Sequence, residues 1–221
     1  MKLHWIKTPY WITKIFNNFC WNIPNQNQKI YLTFDDGPTP EVTQWVLDEL
    51  KNQDIKATFF CIGKNIKEFS TIFSMILDQG HHVGNHTFDH QNGWKTPTIT
   101  YLKSIEKTQK WIDNITKNKF KDNLLFRPPY GKIGPLQSHK IRQKGYKIVM
   151  WDVLSADFDP EITDEKCLEN VTKNTTAGSI IVFHDSKKAF EKLQFVLPKA
   201  IAFLKQKGFQ FDVLRPNISL D

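Results

Sequence analysis

Along the chain, short apolar runs alternate with longer stretches in which apolar residues recur every three or four positions. The short runs fall at 29–34, 57–62, 82–84, 124–126, 146–153, 179–183 and 209–213, and they read as strands. Helical spacing predicts helices between them at 40–50, 66–78, 99–116, 137–144, 164–173 and 189–207. The first of these places Val42, Val46, Leu47 and Leu50 on one face, with Thr39 as its cap and Pro40 in its first turn. Gly80, Gly145 and Gly208 stand where the second, fourth and last helices should stop. Strands alternating with helices in this way predict about seven βα units and a largely parallel sheet.

Ahead of this series, Trp11, Ile12, Ile15, Phe16 and Phe19 recur at helical spacing. They predict a helix packed on the main body. A helix lying in a membrane interface would need a stronger basic face than Lys7 and Lys14 provide. The expected organisation is an N-terminal segment over 1–28 and one domain over 29–221, with no repeat, low-complexity tract or Gly/Ser linker.

The unusual polar residues interrupt this pattern in five places, each following a predicted strand. The first strand runs into Asp35, Asp36 and Gly37, and the third leads to His86 and His90. The strand at 124–126 leads to Arg127-Pro128-Pro129-Tyr130-Gly131, the next to Ser155, Asp157 and Asp159, and the strand at 179–183 to His184 and Asp185. In an α/β barrel the C-terminal strand ends lie on one face and converge on one mouth. This placement favours a barrel over an open doubly wound sheet.

The residue types suit a metal-assisted hydrolysis. Two adjacent carboxylates repel each other unless a cation stands nearby, and at a turn into glycine both can face the mouth in different roles. Two histidines four positions apart, one helical turn, can reach one ion, and with one carboxylate they make a three-ligand set that keeps positions open for water. Asp89, between them, should face outward, and His81 and His82 should be structural. Pro128 and Pro129 hold the chain extended and lack N–H donors, so the first free amide is that of Tyr130, a candidate oxyanion donor. Arg127 can orient a carboxylate across the mouth. A carboxylate such as Asp157 would raise the pKa of His184 and keep it protonated as a general acid.

Composition narrows the class further. The chain has 221 residues, 40% of them apolar, which suits one domain of the larger kind. No segment has the apolar length of a membrane span. The start of the chain is aromatic and basic but lacks an uninterrupted apolar core with a small-residue cleavage site, so a cytoplasmic location is expected, peripheral membrane contact staying open. Cys20, Cys61 and Cys167 are far apart and odd in number, which predicts free thiols. The net charge is +7, yet no run of five basic residues occurs, so a solvated basic surface is expected and no nucleic-acid partner.

The five clusters, in this order, resemble the polysaccharide deacetylases with a NodB-homology domain, also called carbohydrate esterase family 4, over roughly 29–213. The family's Thr-Phe-Asp-Asp-Gly is intact at 33–37, its His-Ser/Thr-x-x-His is His86-Thr87-Phe88-Asp89-His90, and its Arg-x-Pro-Tyr is Arg127-Pro128-Pro129-Tyr130. The resemblance implies a distorted (β/α) barrel with seven or eight strands. It implies a divalent metal, Zn first and Co, Ni or Mn as alternatives, held by Asp36, His86 and His90. It makes Asp35 the base, oriented by Arg127, the Tyr130 amide the oxyanion donor, and His184 the acid, partnered by Asp157.

The family's Leu-x-His appears as Val182-Phe183-His184, and its Asp-x-x-Asp-Trp aligns with Leu154-Ser155-Ala156-Asp157-Phe158. The pairing of Asp157 with His184 survives this departure, while the groove wall changes at Leu154 and Phe158. Pro129, Tyr130, Phe158 and Val182 are the implied substrate-binding residues. The implied activity is hydrolysis of a linear amide C–N bond, releasing acetate from the N-acetyl (less readily O-acetyl) group of an amino sugar in a peptidoglycan- or chitin-like glycan. Two rivals stand: an amidohydrolase relative acting on a non-sugar amide, which Leu154 and Phe158 keep open, and an inactive sugar-binding module, which would have no use for Asp35 or His184.

Overall fold

Strand β1 (Lys29–Asp35) lies inside the sheet, with neighbours on both sides. It pairs in parallel with β2 (Thr58–Cys61) on one side and β7 (Ile180–His184) on the other. Beyond β2 follow β3 (His82–Asn85), β4 (Leu125–Phe126) and β5 (Lys147–Ile148), and beyond β7 lies β6 (Val153–Leu154). A short β8 (Gln210–Phe211) pairs with the start of β1, giving eight strands among the described residues, all parallel. The structure is a computed structural model and describes residues 5–24, 27–117 and 124–215. It has the distorted barrel form expected. The ends of the two predicted segments, 1–4 and 216–221, lie outside the described residues.

The two-residue period of the strands sorts the side chains. In β1, Ile30, Leu32 and Phe34 face the helices, and Phe34 stacks between Phe59 and Phe183 with ring centroids 5.0 and 6.0 Å apart. The helices α2 (Val42–Asn52), α4 (Ser70–Asp78) and α8 (Phe190–Gln206) cover that face with Val46, Leu47, Phe73, Leu197 and Ile201. The opposite parity, Tyr31, Thr33 and Asp35, falls on the inner side with Phe60 and Ile180. Asp35 is paired in register with His184, so the two stand side by side at neighbouring strand ends.

Several elements depart from the pattern. The expected strand over 146–153 is broken, because its first part bonds β4 and its second bonds β7. Val149 N–H donates to Phe126 O at 2.8 Å and Asp152 N–H to Ile180 O at 3.3 Å. This stretch therefore crosses from one edge of the sheet to the other, and one straight strand could not serve both edges. The N-terminal segment fills the same gap, with bridges Lys7–Val153, Cys20–Val149 and Asn22–Ser179. Lys7 Nζ also meets the buried carboxylate of Asp152 at 2.6 Å.

The expected packed helix there is only α1 (Tyr10–Ile15), and it buries Ile12 alone while Tyr10, Trp11 and Ile15 stay exposed. Backbone pairing, not an apolar helix face, fastens this segment. The helix expected over 66–78 breaks at Phe69 into α3 (Gly63–Glu68) and α4, which lets both parts bury their apolar sides. Helix α2 starts two residues later than expected, since Thr39 N–H is bonded by Thr43 Oγ1 at 2.7 Å and Glu41, at φ 67°, takes the capping position. The remaining helices are α5 (Thr98–Thr116), α6 (Pro135–Gln143) and α7 (Asp164–Thr172), close to expectation.

Candidate active site

All five polar clusters sit at C-terminal ends of parallel strands: Asp35 ends β1 and Asp36 follows it, His86 and His90 follow β3, and Arg127 follows β4. At the end of β1 the chain turns sharply: Asp36 has φ 84°, which breaks the strand's alternation and lets Asp35 and Asp36 serve the same mouth. Asn65 Nδ2 fixes this turn by donating to Asp36 O at 2.8 Å.

Asp36, His86 and His90 converge, their ligand atoms all within 4.8 Å of one another. The histidine pair stands on an irregular loop and not on a helix, correcting the helical-turn reading. Thr87 and His90 both have left-handed backbone, φ 62° and 55°. Asn85 Oδ1 and Thr87 Oγ1 hold that loop by accepting from the amides of Thr87 and Gln91, each at 3.0 Å. The imidazole centroids lie 5.1 Å apart. Asp89 is exposed, and His81 is buried with its Nδ1 accepting the Ala57 amide at 3.1 Å, as expected of a structural residue.

The donor set fits a cation. His86 Nδ1 lies 2.8 Å from Arg127 O, and a carbonyl only accepts, so Nδ1 carries the proton. Burial pushes the His86 imidazole down to about 4, so the ring is neutral. Its Nε2 therefore presents a lone pair to Asp36 Oδ1, 3.7 Å away, where no ion pair can form. His90 Nε2 lies 3.1 Å from the same oxygen but off the angle of a hydrogen bond, and Asp36 Oδ1 is buried without a hydrogen-bond donor. Burial raises the Asp36 carboxyl, but the contact with His90 and the charge of His184 outweigh it and hold the group well below the usual range. The His86 lone pair, the unbonded Asp36 oxygen and the His90 ring nitrogen around one point make an arrangement that a divalent ion completes.

Asp35 lies behind this group. Its Oδ1 accepts from Arg127 Nη1 at 2.7 Å, while Oδ2 makes no hydrogen bond among the described residues. Arg127 is fully buried and spends its guanidinium on Asp35, on Thr33 Oγ1 at 2.7 Å, on Met150 O at 2.9 Å and on Val149 O at 3.3 Å, with the Phe60 ring 4.1 Å from its central carbon. Burial lowers the guanidinium's pKa, and Asp35 works against that.

At Pro129–Gly131 the chain makes a tight turn in which Tyr130 takes φ 60°. Gly131 and Lys132 N–H donate to Pro128 O and Pro129 O, and the Tyr130 amide takes part in neither bond. The exposed Tyr130 ring stands 4.5 Å from that of His90, and its hydroxyl lies 3.1 Å from His90 Nδ1.

Across the mouth, Asp157 grips His184 twice, through its backbone N–H at 2.7 Å and through Nδ1 at 2.8 Å. Burial opposes a charged imidazole, but Asp157, with Asp36 and Asp35 further off, raises His184 to about 9. Phe158 packs edge-on against His184 at 4.9 Å. Val182 and Leu154 join it in one apolar cluster, but Val182 is 1% exposed and Pro129 is buried too. These two are buried at the mouth, while Phe158 and Tyr130 present surface.

The structure thus brings together every expected site residue. Asp185 was seen in the sequence only as the neighbour of His184, and no pattern gave it a role. It is buried, and its carboxylate takes the Gly37 amide at 2.9 Å and the Thr43 hydroxyl at 2.6 Å.

Known proteins resemble this chain along most of its length. A polysaccharide deacetylase family profile matches residues 22–149. A peptidoglycan-N-acetylglucosamine deacetylase of Bacillus cereus is 34% identical over 94% of this chain and 74% of its own length. A chitooligosaccharide deacetylase of Azorhizobium caulinodans is 37% identical over 72% of this chain and 75% of its own. The solved Bc1960 peptidoglycan N-acetylglucosamine deacetylase, in complex with 4-naphthalen-1-yl-N-oxidanyl-benzamide, superposes with a TM-score of 0.85 at 32% identity, covering 94% of each chain. With the strand-end clusters in place and similarity running along most of its length, the chain belongs to the polysaccharide deacetylase family, carbohydrate esterase family 4.

Proposed function

We propose that this protein is a metal-dependent hydrolase that removes the N-acetyl group from N-acetylglucosamine units of a peptidoglycan- or chitin-like glycan. The observation that carries this reading is the convergence of Asp36, His86 and His90, set beside the carboxylate of Asp35 on Arg127 and the imidazole of His184 on Asp157. The relatives' named activities favour the same chemistry.

Asp36 Oδ1, His86 Nε2 and His90 Nε2 would hold the ion, and Zn²⁺ suits two imidazoles and a carboxylate best, with Co, Ni or Mn able to replace it. A divalent ion there supplies a Lewis acid for the acetyl carbonyl and a more acidic water. Asp35, held by Arg127 through Oδ1, takes the proton of the attacking water on Oδ2. The Tyr130 amide donates to the oxyanion. His184, kept protonated by Asp157, gives its proton to the departing sugar nitrogen. Phe158 and Tyr130 would line the sugar, and 29–221 would form the catalytic domain, with the described residues 7–22 of the N-terminal segment as a strap across the barrel gap. Among the described residues no helix is long and apolar enough to cross a membrane.

The test is acetate release from N-acetylglucosamine oligomers and from peptidoglycan, with and without a chelator. Release that a chelator abolishes and added Zn²⁺ restores is the expected result. No release from any of these glycans by metal-loaded protein would sink the reading.

A further inference from the structure

Resting on that function, we propose that Trp94 and Lys132 form an additional glycan subsite beside the mouth, which stacks a pyranose ring on the indole and pairs a carboxylate on that sugar with the ammonium. Trp94 is 69% exposed, among the most exposed large apolar side chains of the protein. A lone exposed tryptophan is usually mobile, but this one is built in. Its indole N–H donates to Ile133 O at 3.2 Å, and its backbone N–H is capped by Asn92 Oδ1 at 3.0 Å.

The turn that carries it is clamped from beneath by the buried Gln137. Nε2 of Gln137 donates to Gly93 O and Thr96 O, both at 2.9 Å, and its Oε1 accepts the Gly134 amide at 2.9 Å. Gly93 is required there, since a Cβ would lie 2.4 Å from Lys132 O. A fixed, exposed ring loses little entropy on binding and offers a flat apolar face, which suits the C–H face of a sugar.

The location ties the platform to the chemistry. The loop after β3 carries the proposed metal ligand His90 and, four residues on, Trp94. The loop after β4 carries Tyr130 and, two residues on, Lys132. The loops run together, joined at His90–Tyr130 and again at Trp94–Ile133. Lys132 Nζ lies over one face of the Trp94 ring, 5.2 Å from its centre, and meets no carboxylate among the described residues. A cation without an anion beside a sugar platform favours a glycan whose sugars bear carboxylates over a neutral one.

Titration calorimetry on the metal-loaded protein tests this, with a neutral N-acetylglucosamine tetramer and with a tetrasaccharide alternating N-acetylglucosamine and the lactyl-bearing N-acetylmuramic acid. Trp94→Ala should weaken both ligands by about tenfold, a typical aromatic contribution. Trp94→Phe keeps a ring but loses the bond to Ile133, and it should recover most of that loss. Lys132→Gln should weaken the charged ligand several-fold more than the neutral one. Wild-type affinity of Trp94→Ala for the neutral tetramer, or no binding of either ligand by the wild type, overturns the subsite. Equal weakening of both ligands by Lys132→Gln overturns its carboxylate preference. Acetate release is read separately: glycan binding that depends on Trp94 without any release keeps the subsite and removes the deacetylase reading.

Discussion

The carboxylate of Asp185 accepts the backbone N–H of Gly37 at 2.9 Å, and no side chain fits between them: a Cβ on Gly37 would lie 1.9 Å from Asp185 Oδ2. Asp185 N–H in turn donates to Asp35 O at 3.0 Å. The turn carrying the proposed base and the carboxylate ligand is thus latched to the residue directly after the proposed acid. Burial pushes the Asp185 carboxyl up to about 8, with the charge of Asp36 adding to that, against the hydrogen bonds from Thr43 and Gly37.

Asp185→Ala should therefore act on geometry. It leaves the Gly37 amide and the Thr43 hydroxyl without their acceptor, at a cost of about 1–3 kcal/mol in chemical denaturation. Displacement of Asp35 and Asp36 should lower kcat by about tenfold or more, with KM changed little. Asp185→Asn keeps an oxygen for Gly37 and should recover much of the rate. A stable Asp185→Ala protein with wild-type kcat would show that the latch does not position the turn.

Asp35 and Asp36 are neighbours in sequence with separate duties, and two variants should separate them. Asp35→Asn should reduce kcat by roughly 10²–10⁴ while the protein still binds its ion. Asp36→Ala or His90→Ala should instead lose the ion, read by elemental analysis after dialysis. Metal loss in Asp35→Asn, or metal retention in Asp36→Ala, would reverse the assignment.

Much of this site was legible because strand periodicity and residue chemistry agree. Asp35 and His184 end apolar strands at the same parity as the inner face, so their convergence follows from pattern alone once the sheet is parallel. Less legible were features made by backbone conformation. The left-handed residues Asp36, Thr87 and His90 have no periodic signature, and His86 and His90 look helical in spacing while standing on a loop. The latch from Asp185 links positions 148 residues apart, and nothing local marks it. The bend over 149–152 was hidden because an apolar run looks the same whether it serves one edge of a sheet or two.

Arg127 should prove inseparable from Asp35 in stability. Arg127→Met removes a fully buried cation and leaves the Asp35 carboxylate without its partner, which should cost about 3–5 kcal/mol. Adding Asp35→Asn removes the orphaned charge, so the double variant should be more stable than Arg127→Met alone. Arg127→Lys should rescue poorly, since one ammonium cannot serve Asp35, Thr33, Val149 and Met150 from a single point. Additive losses in the denaturation cycle would mean that the two side chains do not share their energy.

The pH profile should report the grip of Asp157 on His184. The acid must be protonated to deliver its proton, and Asp157, Asp36 and Asp35 raise the ring to about 9 against the effect of burial. Activity should therefore hold through neutral pH and fall as pH rises through that value. A bound divalent ion near the same ring repels the proton, so the alkaline limb of the loaded enzyme should lie somewhat lower. The stability linkage has the same sign. A ring with a raised pKa contributes stability that is fully present below its unfolded value of 6.5 and lost as pH climbs through about 9. Asp157→Asn removes the largest favourable charge, so it should move the alkaline limb of kcat toward lower pH and flatten stability over the same window. An unshifted limb in Asp157→Asn, measured at saturating metal, would assign that limb to another group.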